Sequence, residues 1–189
     1  MNAAIRVALA AATLLLGGCT TSSTSGSVAK AFLRVPSHYL GNLSVADRRH
    51  FLLATVGRND FSILDGRNLL FRWDGEEPMG GEGPFTFHVF GPSARPTVGI
   101  FIERFYDKST HIPPSTSLYI LSRDHTGWSD FTWQVLPQPF DPRLYYEFLP
   151  SSDTLNVRAY THSDRGYITP GRLLCVWKWE RDHFTQVRK

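Results

Sequence analysis

The sequence predicts a mainly β domain: an antiparallel sheet, a sandwich or a partly closed barrel of about eight strands, with one N-terminal helix. Three observations carry this. Short runs alternate apolar and polar residues with a period of two, the spacing of a strand with one face in a core. Proline and glycine fall mainly between these runs, where β punctuation belongs. No long amphipathic helices alternate with the runs, which argues against a parallel sheet with helical crossovers and leaves an α+β variant open.

The helix is signalled by Ser44-Val45-Ala46-Asp47, a cap residue followed by a carboxylate three positions on, which together satisfy orphan amides and the helix dipole. It is expected to run to Val56, with Val45, Leu52 and Val56 near one face and Gly57 as C-cap. Strands are predicted at residues 68–73 and 85–89, separated by an acidic, glycine-rich loop, and then around Ile100 and around Leu118 and Ile120. Phe131, Trp133 and Val135 alternate with Thr132 and Gln134 and predict another. Asp141-Pro142 suits the start of a short helix ending before Pro150, although residues 144–148 also read as extended. Residues 155–159 alternate again. Leu173, Cys175, Trp177 and Trp179 form the longest alternating row, and Arg181-Asp182 suits a turn that brings Phe184 back beside Trp179 or Trp177. The strands around Ile100 and Cys175 are apolar on both faces, which places both centrally. Leu174 and Val176 predict cover on both faces for the first half of the latter strand, and Lys178 and Glu180 predict an open face near its end.

Ahead of this domain lies a segment of different character. Arg6 and the amino terminus form a short positive region, and no acidic residue occurs before Asp47. Residues 7–16 (VALAAATLLL) are an uncharged apolar run of secretory-signal length, about half of the roughly 20 residues a spanning helix needs. Leu16-Gly17-Gly18-Cys19 resembles the bacterial lipobox. The resemblance implies cleavage after residue 18 and acylation of Cys19, an anchor of at least two chains as stable attachment requires. It therefore implies a membrane partner through the lipid on Cys19. Residues 19–29 read as the lipidated cysteine and a flexible leash, since TTSSTSGS cannot bury a core. Residues 30–189 form a single β-rich periplasmic domain. Thr20 stands where aspartate would resemble an inner-membrane retention signal, which favours an outer-membrane location facing the periplasm.

Composition narrows the function classes. The net charge of +3 is scattered, without the Lys/Arg cluster of a nucleic-acid binder, so no nucleic-acid partner is expected. There are two cysteines, and lipidation consumes Cys19. Cys175 therefore has no intramolecular disulfide partner and reads as a buried thiol acting as a small hydrophobe. Aromatics are abundant (Phe 13, Tyr 7, Trp 5). Trp133 and Trp177 read as core, whereas Trp128, after Thr126-Gly127, reads as an exposed, ligand-facing ring. Tyr145 and Tyr146 are further binding candidates. His88 reads as a surface histidine on a strand.

No known catalytic motif is found. The remaining candidates are His162 with Asp164, and Asp124 with His125, either of which suits orienting an imidazole for general-base work; turn chemistry accounts for both pairs equally. Asp74, Glu76, Glu77 and Glu82 lack the spacing of a calcium loop, so no metal site and no cofactor are implied. The expectation is an envelope lipoprotein whose non-catalytic β domain binds a protein or a cell-wall component, with inhibitor- or immunity-like proteins as one subclass. The alternative is a periplasmic hydrolase using His162 and Asp164.

Overall fold

The structure, a computed structural model, describes residues 24–53, 61–63, 68–71, 82–91, 95–104, 115–150, 152–162 and 168–187. Helices α1 (Thr24–Arg34) and α2 (Val45–Leu53) come first, joined through a 3-10 turn at Ser37–Leu40. Strands β1 (Phe61–Ile63), β2 (Asn68–Phe71), β3 (Glu82–Val89), β4 (Thr97–Arg104), β5 (Ser115–Arg123) and β6 (Trp128–Asp130) follow. A one-turn helix α3 (Thr132–Val135) then leads to β7 (Leu144–Phe148), β8 (Thr154–His162), β9 (Ile168–Glu180) and β10 (His183–Val187). The fold is mainly β, with two antiparallel sheets and, among the described residues, no closed barrel. One sheet has the order β1-β2-β3-β4-β5-β6 and the other β10-β9-β8-β7, so each is a meander of local hairpins.

Central strand β4 shows how the layers stack. Val98, Ile100 and Ile102 project toward the helices and share a core with Val28, Phe32, Val35 and Leu40. Phe101 projects the other way, into a second core with Tyr146, Leu155, Val157 and Trp177 of the smaller sheet. The molecule is therefore helices on sheet on sheet. Each large apolar side chain buried in these cores contributes about 1.5–3 kcal/mol. Gly99 lies opposite Phe148, and a β-carbon there would collide with that ring, so glycine sets the spacing of the two sheets.

The helical layer is knotted at Arg48. Its guanidinium is 1% exposed and donates to the carbonyls of Phe32 at 2.7 Å and Val35 at 2.6 Å, and to Ser37 Oγ at 3.0 Å. It thus supplies donors to the C-terminal end of α1, where helix carbonyls lack partners. The capping box holds as the sequence predicts. Ser44 Oγ accepts from Asp47 N at 3.1 Å, and the Asp47 carboxylate accepts from Ser44 N at 3.2 Å. The helix itself is described to Leu53, so Val56 and Gly57 lie outside the described residues. Val45 is exposed and Arg48, not an apolar residue, is the one this helix buries.

Several expectations need correction. Residues 24–29, expected in the leash, belong to α1, and Val28 is fully buried because Val28, Phe32 and Val35 share one helical face. Residues 131–135 form no strand. The Asp130 carboxylate accepts from Thr132 N at 2.9 Å and from Thr132 Oγ1, which starts a helical turn and changes the period from two. Trp133, expected in the core, consequently points outward and is 70% exposed. Residues 144–148 take the extended reading as β7, while Asp141 Oδ1 accepts from Arg143 N in a turn. His88, expected at the surface, is 1% exposed, because β3 is an interior strand covered by helices on one face and by the second sheet on the other. The first half of β9 is not covered on both faces either. Leu174 is 41% exposed on the face of β9 turned away from the inter-sheet core. Phe184 pairs with Trp179, as the turn predicts.

Candidate functional site

At one end of the sandwich four separate stretches of chain converge on an open cleft of about 420 Å³. Ile120 of β5, Phe131 just before α3, Val135 at its end, and Trp179 of β9 supply its apolar lining. Arg95, Gln134 and Asp182 are exposed and form its polar margin, with Thr97 and Ser122 alongside. That combination of an apolar lining and a few polar groups is the usual composition of a ligand site, and the volume lies within the usual range.

Local chemistry explains how each wall is held. Thr132 is buried, and its Oγ1 accepts from Ile120 N at 2.8 Å, while Phe131 N donates to the Ile120 carbonyl at 2.8 Å. The chain leaving β6 thus continues the hydrogen bonding of β5 and fixes the α3 wall. On the opposite wall Trp179 stacks on Phe90 at 4.6 Å and meets Phe184 edge-on at 5.0 Å. Asp182 sits in the two-residue turn between β9 and β10. Arg181 has φ 50° and Asp182 φ 70°, both left-handed, the geometry of a type I′ turn that Asn and Gly normally occupy. Asp182 is a residue type that tolerates this backbone, whereas Arg181 is not, so the strain falls on Arg181. Among the described residues the Asp182 carboxylate makes no hydrogen bond or ion pair.

The sequence-derived candidates lie elsewhere. Trp128 is half-buried against the helix-side core, rather than exposed as expected, because β6 lies beside β5 at the sheet edge. Tyr146 is fully buried. Its hydroxyl accepts from Asp141 N at 3.0 Å, and desolvation pushes its phenol up to about 12. Tyr145 packs edge-on to Phe101 at 4.9 Å and donates to Glu103 at 3.1 Å. The backbone of His162 pairs with Ile168, but Asp164 lies outside the described residues, as do Cys19 and residues 74–77. Glu82 opens β3 opposite Arg104. Asp124 does turn chemistry, accepting from Thr126 N at 2.7 Å, Thr126 Oγ1 at 2.6 Å and Gly127 N at 3.2 Å; these bonds lower its carboxyl pKa. Cys175 is a free, half-buried thiol beside the inter-sheet core, and burial raises its pKa, the neighbouring Trp177 indole offsetting part of the rise. That shift leaves it a poor nucleophile at neutral pH.

A second buried polar contact joins the sheets beneath the cleft's Trp179 wall. The His88 ring stacks on Phe148 at 5.3 Å, and its Nε2 lies 3.8 Å from Asp153 Oδ1. Asp153 also accepts from Gly91 N at 2.6 Å through its carboxylate and from Trp179 N at 2.7 Å through its carbonyl. Aromatic rings enclose the imidazole, so this pair braces the two sheets. Sequence reasoning missed the cleft because its walls come from residues 95–97, 120–122, 131–135 and 179–182, which nothing in the linear order connects. The one local feature that sequence reasoning did place there was Arg181-Asp182, the turn that brings Phe184 back beside Trp179. Comparison with models of known families, with characterised proteins and with solved structures finds no match to this chain.

Proposed function

We propose that this chain is an envelope lipoprotein, anchored through acylated Cys19, whose β domain is a non-catalytic binding module for a cell-wall or protein partner. The observation that carries the binding reading is the cleft, which combines an apolar lining with an exposed carboxylate and an exposed guanidinium at its margin. Supporting the anchor are the apolar run and the Leu16-Gly17-Gly18-Cys19 sequence, followed directly by a folded domain whose first helix begins at Thr24.

The test compares the parent chain with Cys19→Ser. The parent should fractionate with membranes and the variant should be released as a folded periplasmic protein. The released variant should then co-sediment with purified cell-wall sacculi or with one envelope protein at stoichiometric yield. A Cys19→Ser chain that stays with the membrane as tightly as the parent would refute the anchor. A released chain that retains neither partner would refute the binding module.

A further inference from the structure

We propose that the outer face of the helical layer docks on the anionic phospholipid surface that carries the lipid anchor. This goes beyond the cleft and rests on the lipoprotein reading for where that surface lies. Charge is the first observation. Residues 24–53 hold Lys30, Arg34, Arg48 and Arg49 against Asp47 alone, a net +3 that equals the charge of the whole chain. Lys30 and Arg34 stand four apart on the side of α1 opposite Val28, Phe32 and Val35, and both are exposed. Among the described residues the side chains of Lys30, Arg34 and Arg49 make no hydrogen bond or ion pair. The Asp47 carboxylate is already engaged by Ser44.

The second observation is apolar. Arg48 and Leu52 turn inward, which leaves Val45, Arg49 and Leu53 spaced four apart along one exposed flank of α2. Val45 is 41% exposed and Leu53 83%, the most of any large apolar side chain among the described residues. A stripe that sets apolar side chains on either side of a cation suits a phospholipid interface. The apolar tips enter the acyl boundary while the guanidinium stays among the phosphates. Placement agrees with both. On the lipoprotein reading four residues separate Cys19 from Thr24, so the anchor is joined to this layer and lies within about 17 Å of its start. So short a tether raises the effective concentration to roughly the millimolar range, and a weak contact suffices. An untethered chain is therefore still released when membranes are washed.

The experiment floats the released Cys19→Ser chain with vesicles of phosphatidylethanolamine and phosphatidylglycerol, and with vesicles of phosphatidylcholine alone. The chain should bind the anionic vesicles at millimolar lipid, less tightly as salt rises, and should bind the neutral ones more weakly. Arg34→Gln and Arg49→Gln should each weaken binding about fivefold, the worth of one cation at an anionic surface. Leu53→Ser should weaken it about tenfold and leave the unfolding midpoint unchanged, because that side chain is exposed. Lys178→Gln removes the same charge from the outer face of the smaller sheet, on the far side of the three layers, and should leave binding unchanged. Equal losses from Lys178→Gln and Arg49→Gln, equal binding to both vesicle types, undiminished binding of Leu53→Ser, or no binding at millimolar lipid would each overturn the proposal. Failure here is separable from failure of the anchor. A Cys19→Ser chain that is released but ignores vesicles loses the docking face alone, whereas one retained on washed membranes refutes the anchor.

Discussion

Trp177 is the largest fully buried side chain among the described residues, and its neighbours show what it contributes. Its ring lies 5.8 Å from Tyr146 and 6.3 Å from Phe184, so it joins three strands of the smaller sheet within the inter-sheet core. Trp177→Ala should cost about 3–5 kcal/mol, a large share of a typical domain's stability. Lys178 points outward and pairs with Glu180 at 2.8 Å on an exposed surface, so Lys178→Ala should change stability little. Denaturant midpoints of the two variants check this, and equal midpoints would contradict the register. Tyr146 adds a pH dependence. Its phenol is pushed up to about 12 in the folded protein, chiefly by desolvation, against about 10 in the unfolded chain. Between those values the folded state keeps a proton that the unfolded state has lost. The stabilisation is therefore whole below pH 10 and declines as pH rises toward 12, by up to about 1.4 kcal/mol per pH unit. Urea unfolding of parent and Tyr146→Phe from pH 8 to 11.5 should show a shallower decline in the variant; parallel curves would assign the effect to another group.

At the scale of single elements, local chemistry was legible wherever the hydrogen bonds closing an element are themselves local. The Ser44 and Asp47 box spans four residues, and the β9–β10 hairpin is closed by a two-residue turn, so both were readable. The stretch at residues 131–135 was not, although its apolar alternation is clear. A carboxylate one residue earlier, on Asp130, captured the Thr132 amide and began a turn before a strand could extend. The hairpin turn carries the prediction that belongs here. Arg181 and Asp182 both hold left-handed backbone, which costs a residue such as arginine about 1 kcal/mol or more and aspartate less. Replacing them with Asn and Gly, the residues a type I′ turn favours, should stabilise the domain by about 1–2 kcal/mol. Equilibrium unfolding measures the gain; a loss would mean that the native side chains make contacts worth more than the strain.

For the whole molecule the decisive arrangement is the larger sheet held between helices and a second sheet. β7 lies against β3, β4 and β5, which brings the aromatic faces of the two meanders together. On the lipoprotein reading, α1 beginning at Thr24 leaves only four residues after Cys19, so the start of the domain stays within about 17 Å of its anchor. On that reading the domain works at the membrane surface, and the cleft would sample what lies within that reach.

The sequence by itself determined the mainly β class, the centrality of β4 and β9, the capping box and the last hairpin. Each follows from a period or from hydrogen bonds between close neighbours, and such properties travel with the chain. Only the tertiary structure decided what covers each second face. His88 and Trp133 both sit in clean alternating runs, yet one is enclosed between sheets and the other stands in solvent. Val28 was hidden behind a Ser/Thr/Gly-rich stretch until the larger sheet gave its helix a surface to bury. Arg48 is buried because the end of α1 offers it the carbonyls of Phe32 and Val35. Burial depends on which distant segment lies opposite a residue, and the cleft, assembled from four such segments, depends on it most.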